Sequence, residues 1–105
     1  MALTSTNAAK LFGMYPRKGT IAVGSDADIA VWETGTGTGT GERRLIRDRD
    51  LFTRARHSVY AGRELSAWPR ATIRRGEVVF ENGKVLGEPG SGRAIERGAT
   101  LPPAA

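Results

Sequence analysis

Thr72-Ile73-Arg74-Arg75-Gly76-Glu77-Val78-Val79-Phe80-Glu81-Asn82-Gly83-Lys84-Val85-Leu86 is the stretch whose reading decides the fold. Three short apolar runs, Thr72-Ile73, Val78-Val79-Phe80 and Val85-Leu86, are separated by turn residues. Asn82-Gly83 between apolar runs is a strong hairpin signal, because both residues adopt positive φ at little cost. Gly76 marks the turn before it. The region from 70 to 87 therefore predicts a three-stranded antiparallel meander.

Outward from this core the signals weaken. Residues 3 to 12 predict a short helix, with Thr4, Ser5 or Thr6 as N-cap and Ala8-Ala9 favouring helix. Gly13 suits the left-handed residue that ends it, and Pro16 bars its resumption. Gly19–Gly24 and Ile29–Trp32 predict two extended pieces, with turn chemistry from Gly24 to Asp28 between them. Ile29-Ala30-Val31-Trp32 is continuously apolar, the pattern of a strand covered on both faces. Residues 34 to 41 repeat Thr-Gly and predict a flexible linker. The charged stretch 42 to 58 fits either an irregular segment or a short strand followed by a turn. Tyr60 to Pro69 has the punctuation of a loop, and residues 88 to 105 predict an extended or disordered Gly/Pro-rich tail.

Composition narrows the classes. The chain has 105 residues, 39 % of them apolar, with three Phe, two Trp and two Tyr. That is thin for a self-sufficient core, so part of its apolar surface is expected to face other polypeptide. Without cysteine, disulfides and thiolate metal sites are excluded. No basic start with an apolar run marks a signal peptide, and no stretch reaches the length of a membrane span. The expected location is the cytoplasm, without membrane association. The net charge is +5, but basic residues are interleaved with acids, as in Arg47-Asp48-Arg49-Asp50. This is the pattern of a solvated surface, not of a phosphate-tracking stripe, so nucleic acid is not an expected partner.

Taken in order, the motifs resemble the C-terminal segment of the hydantoinase/dihydropyrimidinase family of cyclic amidohydrolases. Ser5-Thr6-Asn7-Ala8-Ala9-Lys10-Leu11-Phe12-Gly13 resembles the helix that follows that family's barrel, with Ala8 where the family usually has Pro. The run from Tyr15 to Asp28 (Tyr-Pro-Arg-Lys-Gly-Thr-Ile-Ala-Val-Gly-Ser-Asp-Ala-Asp) is a near-verbatim match to the next segment. His57-Ser58, Tyr60-x-Gly62, Trp68-Pro69, Arg75-Gly76 and Gly90-x-Gly92-Arg93 add support, while Ala61 departs from a commonly acidic position. The resemblance implies a mainly β fold with one short N-terminal helix. It would be the C-terminal part of a small β-sandwich flanking a (β/α)₈ barrel that is itself absent. It divides the chain into a helix at 1–14, sandwich strands at 15–87 interrupted by the Thr-Gly insert at 34–41, and a tail at 88–105. In the parent family two divalent metal ions, typically zinc, support hydrolysis of cyclic amide C–N bonds. The expected partner is then the barrel portion or another copy of the chain.

The residues offer little chemistry of their own. Two-metal hydrolysis needs several His ligands and a bridging group, and His57 is the single histidine. Asp26 and Asp28 have the look of paired catalytic carboxylates, but in a turn they more readily bond nearby backbone N–H groups. Ser5, Ser25, Ser58, Ser66 and Ser91 lie in no nucleophile elbow. Trp32, Trp68 and Phe80 suit core or inter-domain packing. The expectation is no catalytic, cofactor-binding or metal residue, hence a chain inactive by itself. The alternative is a stand-alone β module that binds a protein partner through exposed strand edges.

Overall fold

The computed structural model describes residues 1–34 and 43–103; the Thr-Gly stretch expected to be a linker lies, beyond Thr34, outside them. The described residues form a mainly β structure with one short N-terminal helix and no closed barrel. The chain divides into two compact units, Met1–Ala30 with Ala71–Ala105, and Val31–Arg70. Strands β1 (Ile29–Thr34), β4 (Ala67–Arg74), β5 (Glu77–Glu81) and β6 (Lys84–Val85) make a four-stranded sheet in the order β1-β4-β5-β6.

In the first unit, the meander forms as the turn residues require. Arg74 pairs with Glu77 across Arg75-Gly76, and Glu81 pairs with Lys84 across Asn82-Gly83. All four turn residues have positive φ: 49° and 83° in the first turn, 47° and 80° in the second. This is the backbone of type I′ turns, whose twist matches the flanking strands. Between Thr72↔Phe80 and Ile73↔Val78 the register shifts, leaving Val79 as an extra residue of β5. The Val79 carbonyl accepts from the amides of Leu86 (2.8 Å) and Gly87 (3.1 Å). A Cβ on Gly87 would press on Val79 Cβ at 3.3 Å, so glycine lets the exit from β6 cross the bulge closely.

The helix begins earlier than its capping residues suggest. A π-helical turn at Ala2–Thr6 runs into α1, Asn7–Leu11. Thr6 has helical φ and ψ and makes no side-chain cap; its hydroxyl donates instead to the Gly19 carbonyl, at 2.7 Å. The C-terminus ends as expected, with Gly13 at φ 67°. Gly13 N–H donates to Lys10 O and Met14 N–H to Ala9 O, the paired bonds of a Schellman motif. Gly19 is the second glycine with a steric reason: a Cβ there would collide with Ala9 Cβ. Ala9, 3 % exposed, is the buried apolar residue among those described.

Residues 88–103 form neither helix nor strand, yet they make backbone bonds to the helix end. Gly98 N–H donates to Gly13 O at 2.7 Å and Leu101 N–H to Lys10 O at 3.0 Å. The second bond gives the Lys10 carbonyl, which already accepts from Gly13 N–H, a second donor.

In the second unit, β2 (Arg44–Leu45) pairs antiparallel with β3 (Glu64–Leu65), and a 3₁₀ turn occupies Asp48–Asp50. Of the two readings of this stretch, the short strand followed by a turn is the one that forms.

Three expectations are corrected. Gly19–Gly24 is not a strand: Ser25 N–H closes a turn on Ala22 O, and Ile21 and Val23 stand in solvent. With no ladder partner, an apolar run has nothing to hold it extended. Ile29–Thr34 is a strand but is not covered on both faces, since Val31 and Trp32 are exposed. Tyr60 to Pro69 is not loop throughout: Glu64–Leu65 forms β3, and Ala67-Trp68-Pro69 opens β4, ahead of the residues registered with β5. There a proline removes no ladder bond to β5.

Candidate functional site

The densest group of charged side chains lies in the first unit, where the turn before β1 meets the Arg75-Gly76 turn. Asp28 Oδ1 accepts from the backbone N–H of Arg75 at 2.7 Å. Beside it, Gly76 N–H donates to Ala27 O at 3.1 Å. The other Asp28 oxygen, Oδ2, takes the Lys18 ammonium in an ion pair. Lys18 also reaches Asp26 Oδ2 at 2.8 Å, and Arg17 Nε meets the same oxygen at 3.0 Å. Arg75 turns its guanidinium onto the Ser91 carbonyl, 3.1 Å away. Asp26 N–H donates to Arg17 O and Ser25 Oγ to Pro16 O, so this loop is closed at its base by two adjacent bonds.

The charges respond to this geometry. The Lys18 hydrogen bond is the largest influence on Asp26 and, with Arg17, overcomes desolvation to hold its carboxyl below the usual range. For Asp28 desolvation is the largest influence and pushes upward. The Lys18 hydrogen bond, the Arg75 amide and the Lys18 charge together outweigh it, and the net shift is downward. Burial would lower the Lys18 ammonium, but hydrogen bonds and charge from the two aspartates raise it.

This arrangement is unsuited to acid–base chemistry. A carboxylic acid that donates a proton near neutrality needs a raised pKa, and both aspartates are shifted the other way. The pair is a clamp that fixes turn to turn. The sequence suggested backbone bonding by these aspartates; it missed that the principal bond spans 47 residues. Lys18, Arg75 and Ser91 carried no local signal beyond membership of the motifs already quoted.

The remaining candidates are not brought together. His57 is exposed in the second unit. Ser58 N–H donates to Asp48 Oδ1 at 3.1 Å, and Ser58 Oγ accepts from Tyr60 N–H at 3.1 Å. Ser91 Oγ donates to the Glu88 carbonyl. Trp68 Nε1–H donates to Leu65 O at 3.0 Å, whereas Trp32 is 57 % exposed. Among the described residues no three His, Cys, Asp or Glu side chains converge as metal ligands do, and no helix is long and apolar enough to cross a membrane.

Comparison with known proteins places this scaffold. The model of the amidohydrolase family matches residues 1–79, and the chain belongs to that family. Over 95 residues it is 37 % identical to D-hydantoinase of Ralstonia pickettii, covering 90 % of this chain and 20 % of that protein. Over 97 residues it is 40 % identical to dihydropyrimidinase of Rattus norvegicus, covering 92 % of this chain and 18 % of the relative. The crystal structure of dihydropyrimidinase from Brevibacillus agri superposes with a TM-score of 0.83 at 36 % identity, over 95 % of this chain and 20 % of that one. The chain is thus a segment of the D-hydantoinase/dihydropyrimidinase kind, spanning about a fifth of the length of these relatives. The family implies metal binding, but the described residues do not fit a metal centre: the two neighbouring carboxylates already hold an ammonium.

Proposed function

We propose that this chain is the non-catalytic, strand-rich flank of a metal-dependent enzyme of the hydantoinase/dihydropyrimidinase type, which hydrolyses cyclic amide C–N bonds. Its strands belong to a small β-sandwich beside a barrel, and the barrel holds the divalent metal ions, zinc in the simplest case. By itself the chain is inactive. Its partner is the barrel portion, or a second copy, in the cytoplasm, where a chain without cysteine loses nothing.

The exposure of apolar strand and turn residues carries this reading. Ile21, Val23, Val31, Trp32 and Val85 are open to solvent, Val23 fully. Covering a side chain of this size is worth about 1.5–3 kcal/mol when burial is complete. That reserve favours docking against a further apolar surface, and the family match supports the enzyme's own barrel as that surface.

Coexpression tests it. A D-hydantoinase truncated before the corresponding segment is produced with and without this chain, and hydantoin and dihydrouracil ring opening are assayed with zinc supplied. Turnover is expected only when both pieces are present and copurify. Turnover by the purified chain alone, or no association with the truncated enzyme, would sink the proposal.

A second reading, a stand-alone module that binds a protein through its strand edges, draws on the outer positions of β1 and β6 in the sheet order. A soluble monomer with cooperative thermal unfolding favours it; aggregation of the isolated chain favours the first.

A further inference from the structure

We infer that Asn82-Gly83 is a site of spontaneous covalent modification, at which Asn82 deamidates through a cyclic imide to aspartyl and isoaspartyl products. Three observations converge on it. The dipeptide forms the whole turn between β5 and β6, and both residues are exposed. A Cβ built on Gly83 meets nothing within 4 Å, so the approach to its backbone nitrogen is open from that side. β6 has two residues, with register pairs only at Phe80↔Val85 and Glu81↔Lys84.

In the reaction the Gly83 backbone nitrogen, having lost its proton, attacks Asn82 Cγ. The N–Cγ bond forms, the Cγ–Nδ2 bond breaks, and Nδ2 departs as ammonia with a proton returned from solvent. Water then adds to either carbonyl of the imide. Opening at one restores a normal aspartyl link; opening at the other routes the main chain through Cβ and Cγ. Water is the only co-reactant, and nothing is oxidised or reduced. The closed turn holds Asn82 at φ 47°, so attack proceeds from a locally opened state in which Asn82 rotates. A two-residue strand at the end of a sheet opens at little cost. The isoaspartyl product adds a main-chain carbon to a two-residue loop, which cannot then keep both positive-φ positions and the register beyond them.

The chain contains its own control. Asn7, the other asparagine, precedes Ala8 inside α1, where helical bonding and a Cβ on the next residue oppose ring closure. Trypsin isolates Asn82 in the peptide Gly76–Lys84. The purified full-length chain is aged at 37 °C at neutral and mildly alkaline pH, then mapped by mass spectrometry, with an isoaspartyl carboxyl methyltransferase reporting the rearranged product. The expected result is an amide-to-acid mass gain in Gly76–Lys84, faster at the higher pH, with methyl transfer to that peptide and none to the peptide holding Asn7. Gly83→Ala is expected to slow it several-fold. Asn82→Gly, which keeps a turn-competent residue, abolishes it. An unchanged Gly76–Lys84 peptide, equal modification at Asn7, or an undiminished rate in Gly83→Ala would overturn the inference.

Discussion

Asp28 Oδ1 and the backbone N–H of Arg75 lie 2.7 Å apart although 47 residues separate them in the chain. The bond joins the entrance of β1 to the first turn of the meander. It also meets Arg75 where φ is 49°, a left-handed conformation uncommon for a side-chain-bearing residue. A carboxylate that accepts this amide while pairing with Lys18 makes the unusual turn affordable and fixes its position.

Removing that carboxylate is expected to destabilise the chain. For Asp28→Ala the loss is about 1–2 kcal/mol, the lower part of the range for a charge-assisted bond because the site is partly solvated. Asp28→Asn, which keeps an acceptor but not the Lys18 pair, is expected to lose less. Urea unfolding of the three proteins measures this; equal midpoints for wild type and Asp28→Ala would show the contact to be idle.

Stability is expected to depend on pH through the same cluster. Asp26 and Asp28 titrate below their ordinary value of 3.8 in the folded chain. Their contribution is therefore complete above that value and is lost as pH falls through the lower folded values. Lys18 is raised above 10.5, so its contribution is complete below 10.5 and disappears as pH climbs through the folded value. Thermal unfolding should show a plateau between these limits, and Lys18→Met should flatten both edges. An acid edge unaltered by Lys18→Met would separate the pH dependence from this cluster.

Gly13→Ala should loosen the helix terminus. Its φ of 67° disfavours a Cβ, and that Cβ would fall against the Gly98 carbonyl. A cost of about 1–3 kcal/mol is expected for the strain, read as a lowered melting temperature and faster amide exchange at Met14 and Gly98. Unaltered exchange at Gly98 would contradict the close approach.

Trp32→Ser separates the chain's own stability from docking. Trp32 is 57 % exposed, so the substitution should change the isolated chain's stability by no more than about 0.5 kcal/mol. Capture by the truncated hydantoinase should fall sharply. A large loss of stability with capture intact would place Trp32 in the chain's own core.

How much of this was legible beforehand follows the range of each interaction. Gly13 and the Asn82-Gly83 turn were readable because positive φ is a single-residue demand. The bond that Arg75 makes was not, because the carboxylate that accepts its amide comes from another part of the chain. The helix was readable to within a residue of its start, but not its cap, because Thr6, a good cap by type, donates its hydroxyl to Gly19. Ile29–Trp32 was readable as a strand from composition, but its burial was not, since the described residues leave it open. The clamp of Lys18, Asp26 and Asp28 was visible only as a motif.

The bonds from Gly98 to Gly13 and from Leu101 to Lys10 have a mechanical consequence. Tension applied through both ends of the chain would act first on this small clasp, peeling residues 98–101 from the helix end. The strands of the meander would feel the load only after the clasp gave way.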